Sequence, residues 1–178
     1  MSETLRSELV GTAGLSVAAI AALLLATGRT PKASIRTERR RTTLVYAALV
    51  LVQALHAAEE YATGFYAAFP PVLGLAPWSA AFFLAFNLTW LAVWIVSTIG
   101  LRAGHAVAFF PAWFLAMAAI ANGVAHPLLA LRAGGYFPGL ATSPLLAVGG
   151  VFLWRRLMEE TAVSGKVEKW KSGRSGSD

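Results

Sequence analysis

Five long apolar segments make up most of this chain and limit what it can fold into. They run approximately over residues 9–27, 43–63, 78–100, 106–131 and 142–154. Most of them, as α-helices, are long enough to cross the roughly 30 Å hydrocarbon core of a bilayer. Charged residues form 13% of the chain, whereas soluble domains carry about 25%. We therefore predict an all-α, multi-pass membrane helix bundle with about five transmembrane helices.

Basic residues are distributed unevenly between the loops that join these segments. Six Lys or Arg residues follow the first segment, one follows the third and six follow the fifth, which is 13 of the 15 in the chain. Only Arg6 and Arg132 lie in the remaining loops and termini. Because loops on the cytoplasmic side are enriched in Lys and Arg, we predict an outside N-terminus and a cytoplasmic C-terminus. The predicted location is the cell membrane.

The same pattern divides the chain into three regions. Residues 1–41 are predicted to hold the first transmembrane helix and a basic cytoplasmic linker, and residues 42–158 a membrane domain. Residues 159–178 are predicted to form a disordered, basic cytoplasmic tail, because the end of the chain is rich in Gly, Ser and Lys.

The chain has no cysteine, which excludes disulfides and thiolate metal ligands. Nothing resembles a nucleic-acid-binding surface, so the predicted partner is the lipid bilayer, with the oligomeric state left open.

A few polar residues interrupt the apolar segments in two short runs. His56, Glu59 and Glu60 lie in the second segment, and Asn122 and His126 lie in the fourth. An ionisable residue near the bilayer centre costs roughly 3 kcal/mol even on a lenient insertion scale, so retained ones usually serve a function. Residues three or four apart share one face of a helix. Both segments run outward in the predicted topology, which places the runs at a common depth near the extracytoplasmic face.

If the two polar faces meet, His56, Glu60 and His126 form a candidate metal site. Two imidazoles and one carboxylate with an open position suit zinc acting as a Lewis acid, and iron is also conceivable. Glu59 is then the predicted general base, although Glu59 and Glu60 can exchange roles. Asn122, or Tyr136 from the loop after the fourth segment, is predicted to polarise the bond that reacts.

Simpler structural interpretations stay open for these residues. His56 and Glu60 can form a hydrogen-bonded pair within one helix. Asn122 can bond to a neighbour, or it can orient His126 by fixing the imidazole tautomer. The segment from residue 136 to residue 142 is predicted to form a turn, with Thr142 as a cap of the fifth helix.

The loop at residues 61–78 is uncharged and rich in aromatic residues. Gly64, Pro70, Pro71 and Pro77 argue against a long helix there. We interpret the loop either as an interfacial or re-entrant cover over the site or as a plain belt of aromatic residues at the membrane surface.

Three motifs in this chain resemble, in order, those of the HXXEE-domain proteins. These motifs are H-x-x-E-E at residues 56–60, N-x-x-x-H at residues 122–126 and Y-x-P-G-x-x-T at residues 136–142. The resemblance covers approximately the second to fifth segments and leaves out the first segment and the basic tail. It implies an integral membrane domain and these motif residues, but it implies no substrate.

Our leading hypothesis is a metal-dependent membrane enzyme that catalyses hydrolysis. Its substrate would be lipidic or would enter from the outer leaflet. One alternative is a small transporter or sensor of protons or metal ions, because intramembrane His and Glu residues also serve such functions. The other is a metal-free acid–base enzyme in which the paired glutamates share a proton.

Overall fold

The computed structural model of the chain describes residues 2–32 and 36–163. Within these ranges the fold is helical. The α-helices are α1 (Glu3–Gly11), α2 (Ala13–Gly28), α3 (Arg36–Thr63), α4 (Phe65–Val72), α5 (Ala80–Ala103), α6 (Phe109–Ala133) and α7 (Ser143–Glu160), with a short 3₁₀ turn at Ala106–Ala108. Two three-residue strands, β1 (Arg29–Pro31) and β2 (Thr161–Val163), pair antiparallel. The predicted helical bundle is confirmed, and the strand pair was not predicted.

Three helical stretches are long and apolar enough to cross a membrane. They are Thr37–Thr63, Ala80–Ala103 and Ala106–Ala133. The α1–α2 pair, bent by 41°, is a fourth if both helices count as one span. α7 does not qualify, because its 18 residues include two arginines and two glutamates in the last six positions. The five-span count and the orientation therefore stay predictions.

Basic residues gather where α2, α7 and the start of α3 meet, and we call this the basic end. The Nζ of Lys32 donates to the backbone oxygen of Glu159 over 2.7 Å. The Nη2 of Arg156 lies 2.7 Å from Oε2 of Glu38. α3 begins at Arg36, several residues before the apolar segment, so the second half of the predicted linker is helical.

The tail was predicted to begin at residue 159, and this boundary is wrong. Glu159 and Glu160 complete α7, and the next three residues form β2. The hydroxyl of Thr42 donates to Oε1 of the buried Glu160 over 2.7 Å, and β2 pairs with β1, so this part of the chain is fixed. Residues 164–178 lie outside the described residues.

α6 lies at the centre of the bundle and packs closely against α7. Gly123 allows this approach, because a Cβ there would lie 2.3 Å from the Cβ of Ala147. Gly150 does the same from α7, where a Cβ would lie 2.9 Å from the backbone oxygen of Ala116. Small residues at helix contacts are the usual means of close packing within a membrane. The Trp113 side chain is fully buried in this core.

α4 is only eight residues long, so the prediction that the loop holds no long helix is confirmed. Pro70 has no N–H and cannot bond to the carbonyl of Tyr66 four residues earlier. That oxygen instead accepts from the backbone N–H of Trp78 over 2.9 Å. The indole N–H of Trp78 donates to the backbone oxygen of Ser7 over 3.1 Å, which links the loop to α1.

Candidate metal site

The three residues predicted as metal ligands meet at the end of the bundle opposite the basic end. The Nε2 atom of His56 lies 3.4 Å from Oε1 of Glu60, and Nε2 of His126 lies 3.3 Å from the same oxygen. All three residues are buried, and the imidazole rings are nearly perpendicular with their centroids 4.7 Å apart. The group could hold a metal ion, because each residue offers one ligand atom and these atoms all lie within 4.8 Å of one another.

The far side of each imidazole is held by a hydrogen bond that fixes its tautomer. The Nδ1 atom of His126 lies 2.7 Å from the backbone oxygen of Pro138, which can only accept, so this nitrogen carries the proton. The Nδ1 atom of His56 lies 2.7 Å from the hydroxyl oxygen of Thr142. That hydroxyl donates its single proton to Glu59 over 2.5 Å, so it accepts from His56. In the neutral rings, both Nε2 atoms therefore present lone pairs to Glu60.

Three acceptor atoms therefore lie close together: Nε2 of His56, Nε2 of His126 and Oε1 of Glu60. A cation between them would compensate their mutual repulsion. Among the described residues, Nε2 of His56 is buried without a hydrogen-bond partner. A proton shared between a ring nitrogen and a carboxylate normally draws the two atoms to about 2.7–2.9 Å, less than the separations here. A tetrahedral zinc ion with bonds of about 2.0–2.1 Å would hold its ligand atoms about 3.3–3.4 Å apart. The two nitrogen–oxygen separations are compatible with this spacing, so the three residues could hold a metal ion such as zinc.

Glu59 faces away from these three atoms and is occupied by four hydrogen bonds. Its Oε1 accepts from the Tyr136 hydroxyl over 2.5 Å and from the Ala141 N–H over 2.9 Å. Its Oε2 accepts from the Thr142 N–H over 2.9 Å and from the Thr142 hydroxyl. A carboxylate has about four lone-pair positions, so none is left to take a proton. The geometry does not suit the predicted general base, and it makes Glu59 a positioning residue for Thr142 and His56.

The turn predicted at residues 136–142 is present, but two of its side chains act differently from the prediction. Tyr136 donates to Glu59, so its hydroxyl is not aimed at a reacting bond. Thr142 makes no side-chain capping bond to α7 within the described residues, because its hydroxyl bridges Glu59 and His56. The turn is therefore a support for the imidazole.

Gly139 is the residue of this turn that touches both imidazoles. Its φ is +87°, which L side chains rarely adopt. A Cβ there would lie 2.4 Å from Cε1 of His126 and 2.9 Å from Cε1 of His56. The sequence indicated a turn glycine through the Pro-Gly pair, but no local signal indicated this contact. The carbonyl of Pro138, which holds His126, was missed for the same reason.

α4 lies over the imidazole of His126. The ring of Phe65 is 5.4 Å from that imidazole, and it is 6.1 Å from the ring of Phe137 in the turn. This agrees with the interpretation of the loop as a cover for the site. The third histidine, His105, begins the 3₁₀ turn at the basic end of the bundle and lies away from the site.

A cavity of about 290 Å³ opens beside Glu60 and His126. Of the residues described, Glu60 contributes the one carboxylate in its lining. Asn122 also lines it, whereas the imidazole of His126 is oriented by Pro138. The hypothesis that Asn122 orients His126 is therefore wrong, and Asn122 belongs to the lining of the cavity.

No model of a protein family, no curated protein and no solved structure matched this chain. The likeness to the HXXEE-domain proteins therefore rests on the three motifs.

Proposed function

We propose that this chain is a multi-pass protein of the cell membrane and a metal-dependent hydrolase, with its site near the extracytoplasmic face. The convergence of His56, Glu60 and His126, with both Nδ1 atoms bonded outward, supports this most strongly. The likeness of the three motifs to HXXEE-domain proteins agrees with a membrane domain. We favour zinc over iron, because the two nitrogen–oxygen separations of 3.3 and 3.4 Å are compatible with tetrahedral coordination.

The residues divide into ligands, supports and groups that meet the substrate. His56, Glu60 and His126 hold the ion, which when bound would supply Lewis-acid polarisation of water and of the scissile group. Glu59 holds Thr142, and Thr142 holds His56. These supports keep the ligand nitrogens aimed at one point without rearrangement.

The groups that face the cavity have the remaining roles. Glu60 is assigned the proton transfer in addition to its role as a ligand, so Glu59, the general base of the first prediction, keeps only its positioning role. Its Oε1 faces both imidazoles, and its Oε2 is not hydrogen-bonded to any described side chain. The amide of Asn122 would donate to the oxygen of the bond being cleaved, as an oxyanion-stabilising group. The apolar walls of the cavity favour a lipidic substrate.

The cavity counts against the transport alternative. Beyond Asn87 and Gln53, the walls that lead toward the basic end are formed by Trp90, Trp94 and Phe114. These aromatic side chains offer no chain of titratable groups for protons and no ligands for a moving cation. A cavity lined by these aromatic side chains toward the basic end suits catalysis better than passage across the bundle.

Hydrolysis can be tested in lipid nanodiscs that contain a mixture of ester and amide lipids. We expect products that take up ¹⁸O from labelled water, with the reaction abolished by chelation and restored by zinc. The His105→Ala variant serves as the control, because this histidine lies outside the site. Turnover that survives exhaustive chelation would favour the metal-free acid–base enzyme. Zinc or proton flux into proteoliposomes without ¹⁸O uptake would favour the transporter.

A further inference from the structure

A second cavity, of about 500 Å³, lies at the basic end between the start of α3 and the end of α5. Its lining consists of Arg40, Ile99, Arg102 and Ala103. A contact between the next residues along the chain joins the two helix ends, because a Cβ on Gly104, the cap of α5, would lie 2.7 Å from Cζ of Arg39. Two arginines from different helices therefore contribute to one cavity.

The two arginines of this cavity have no counter-ion among the residues that the structure describes. Both are exposed, and neither forms an ion pair with a described carboxylate. Glu38, close to Arg40 on α3, is paired with Arg41 and Arg156 instead. A cavity lined by charges of one sign concentrates ions of the opposite sign, so this one favours an anionic ligand.

Exposed apolar side chains continue from the cavity along both helices. Those on α5 are Ile99, Ile95 and Leu88, and those on α3 are Leu44, Leu51 and Leu55. Their spacing places each set on one face of its helix, in line with Arg102 on α5 and with Arg40 on α3. The two arginines lie near the ends of the stretches that are long and apolar enough to cross a membrane, Thr37–Thr63 and Ala80–Ala103. In a bilayer, the arginines would therefore lie at the depth of the lipid headgroups, with the apolar side chains in the hydrocarbon.

We propose that this surface of α3 and α5 binds an anionic phospholipid. Its phosphate lies between Arg40 and Arg102, and its two acyl chains follow the apolar side chains of the two helices. A guanidinium group bonds to phosphate through two parallel N–H donors, which makes arginine well suited to phosphate recognition. Basic pockets between membrane helices bind anionic headgroups by the same chemistry.

A lipid fits these observations better than a free phosphate ion. A free ion would contact the two arginines and leave the apolar side chains uncovered. A phospholipid neutralises the arginines and also covers Ile99, which is 74% exposed and lines the same cavity. The inference does not depend on the metal site or on hydrolysis, because that site lies at the opposite end of the bundle.

Native mass spectrometry of the full chain, released from detergent micelles, measures this binding. The probes are dioleoylphosphatidylglycerol, which is anionic, and dioleoylphosphatidylcholine, which has the same chains and phosphate but carries an added cation. Inorganic phosphate is the competitor. The variants are Arg40→Gln, Arg102→Gln and the double variant. Arg155→Gln is the matched control, because Arg155 is also an exposed arginine, near the end of α7, and does not line the cavity.

We expect one phosphatidylglycerol molecule to bind saturably and more tightly than phosphatidylcholine. Each single variant should weaken the binding of phosphatidylglycerol about fivefold, the loss expected for one basic residue near an anionic headgroup. Arg155→Gln should bind as the wild type does, and the double variant should bind the two lipids equally. Because the three arginines are exposed, circular dichroism should show unchanged helix content in every variant.

Three results would contradict the proposal. Equal affinity of the wild type for the two lipids would mean that the headgroup charge is not recognised. An equal loss of affinity in Arg155→Gln would mean that the basic end attracts anionic lipids by its overall charge, without a site. Displacement of phosphatidylglycerol by an equal concentration of inorganic phosphate would mean that the arginines bind the ion and not the lipid.

Discussion

Glu59 and Thr142 are 83 residues apart in the chain and are joined by two hydrogen bonds, from the backbone N–H and from the hydroxyl of Thr142. The same hydroxyl accepts from Nδ1 of His56, one turn before Glu59 on α3. The pair therefore fixes the turn before α7 to α3 and sets the imidazole tautomer at once. This explains how Glu59 contributes to the site without touching the ion.

Replacing Glu59 by Gln should weaken metal binding although Glu59 is not a ligand. The amide can accept at one atom only, so at least one of the donors from the turn loses its partner. Loss of such a supporting interaction usually lowers metal affinity by about 10–100-fold. Competition with a zinc chelator measures the affinity, and ¹⁵N shifts of the imidazoles report the tautomer.

The matched control for this variant is Glu3→Gln, which changes the same charge at an exposed position in the first turn of α1. Unchanged zinc affinity and unchanged imidazole shifts in Glu59→Gln would contradict the positioning role.

Gly139→Ala should disrupt the site through direct contact with both imidazoles. The new Cβ would lie 2.4 Å from Cε1 of His126, at a φ of +87° that already disfavours alanine. We expect loss of zinc binding together with lower thermal stability. Gly134→Ala separates the two causes, because Gly134 also has a positive φ, +70°, with no atom near the added Cβ. Similar zinc loss in both variants would mean that backbone strain, and not contact with the imidazoles, is responsible.

Tyr136→Phe should remove a stabilising bond that depends on pH. Desolvation of the phenol and its hydrogen bond to Glu59 raise the pKa of Tyr136 above its ordinary value of about 10. Because the folded pKa is the higher one, the bond contributes fully below pH 10 and is lost as the pH rises through the raised value. The stability difference between wild type and Tyr136→Phe should therefore be constant near neutral pH and vanish in strong alkali.

Thermal unfolding across this pH range measures the difference, with Tyr61→Phe as the control. A stability difference between wild type and Tyr136→Phe that increases as the pH rises would show that the phenol does not donate to Glu59.

Asn122→Ala should lower turnover while zinc stays bound. Asn122 lines the cavity next to His126 but is not among the three ligands. Removing a donor that stabilises an oxyanion typically costs about 10²–10³-fold in kcat. Steady-state rates and zinc content, measured on the same samples, distinguish this role from a structural one. A parallel loss of zinc would show that Asn122 supports the ligands instead.

The convergence of the ligands could be anticipated from the sequence because it depends on regular geometry. His56 and Glu60 are four residues apart, so any helix places them on one face. His126 lies at a matching depth because the helices that carry the two runs are parallel. The three longest helices also follow from the apolar segments, although α3 begins earlier than the hydrophobic pattern does.

The support of the site could not be anticipated, because it depends on tertiary contacts between distant segments. From the sequence, the hydroxyl of Thr142 is expected to cap the helix that follows it. In the structure it forms hydrogen bonds with Glu59 and His56 instead. The acceptor for Nδ1 of His126 is the backbone carbonyl of Pro138, and no side chain in the sequence indicates this bond. The pairing of β1 with β2 joins residues 29–31 to residues 161–163, which no local pattern specifies.

Zinc content of the purified protein tests the central claim most directly. Elemental analysis of wild type in nanodiscs, after brief exposure to zinc and removal of the excess, should give an equimolar amount. His126→Ala and His56→Ala should lose it, and His105→Ala should keep it. Folded wild type that binds no zinc, or equal retention in all three variants, would contradict the account.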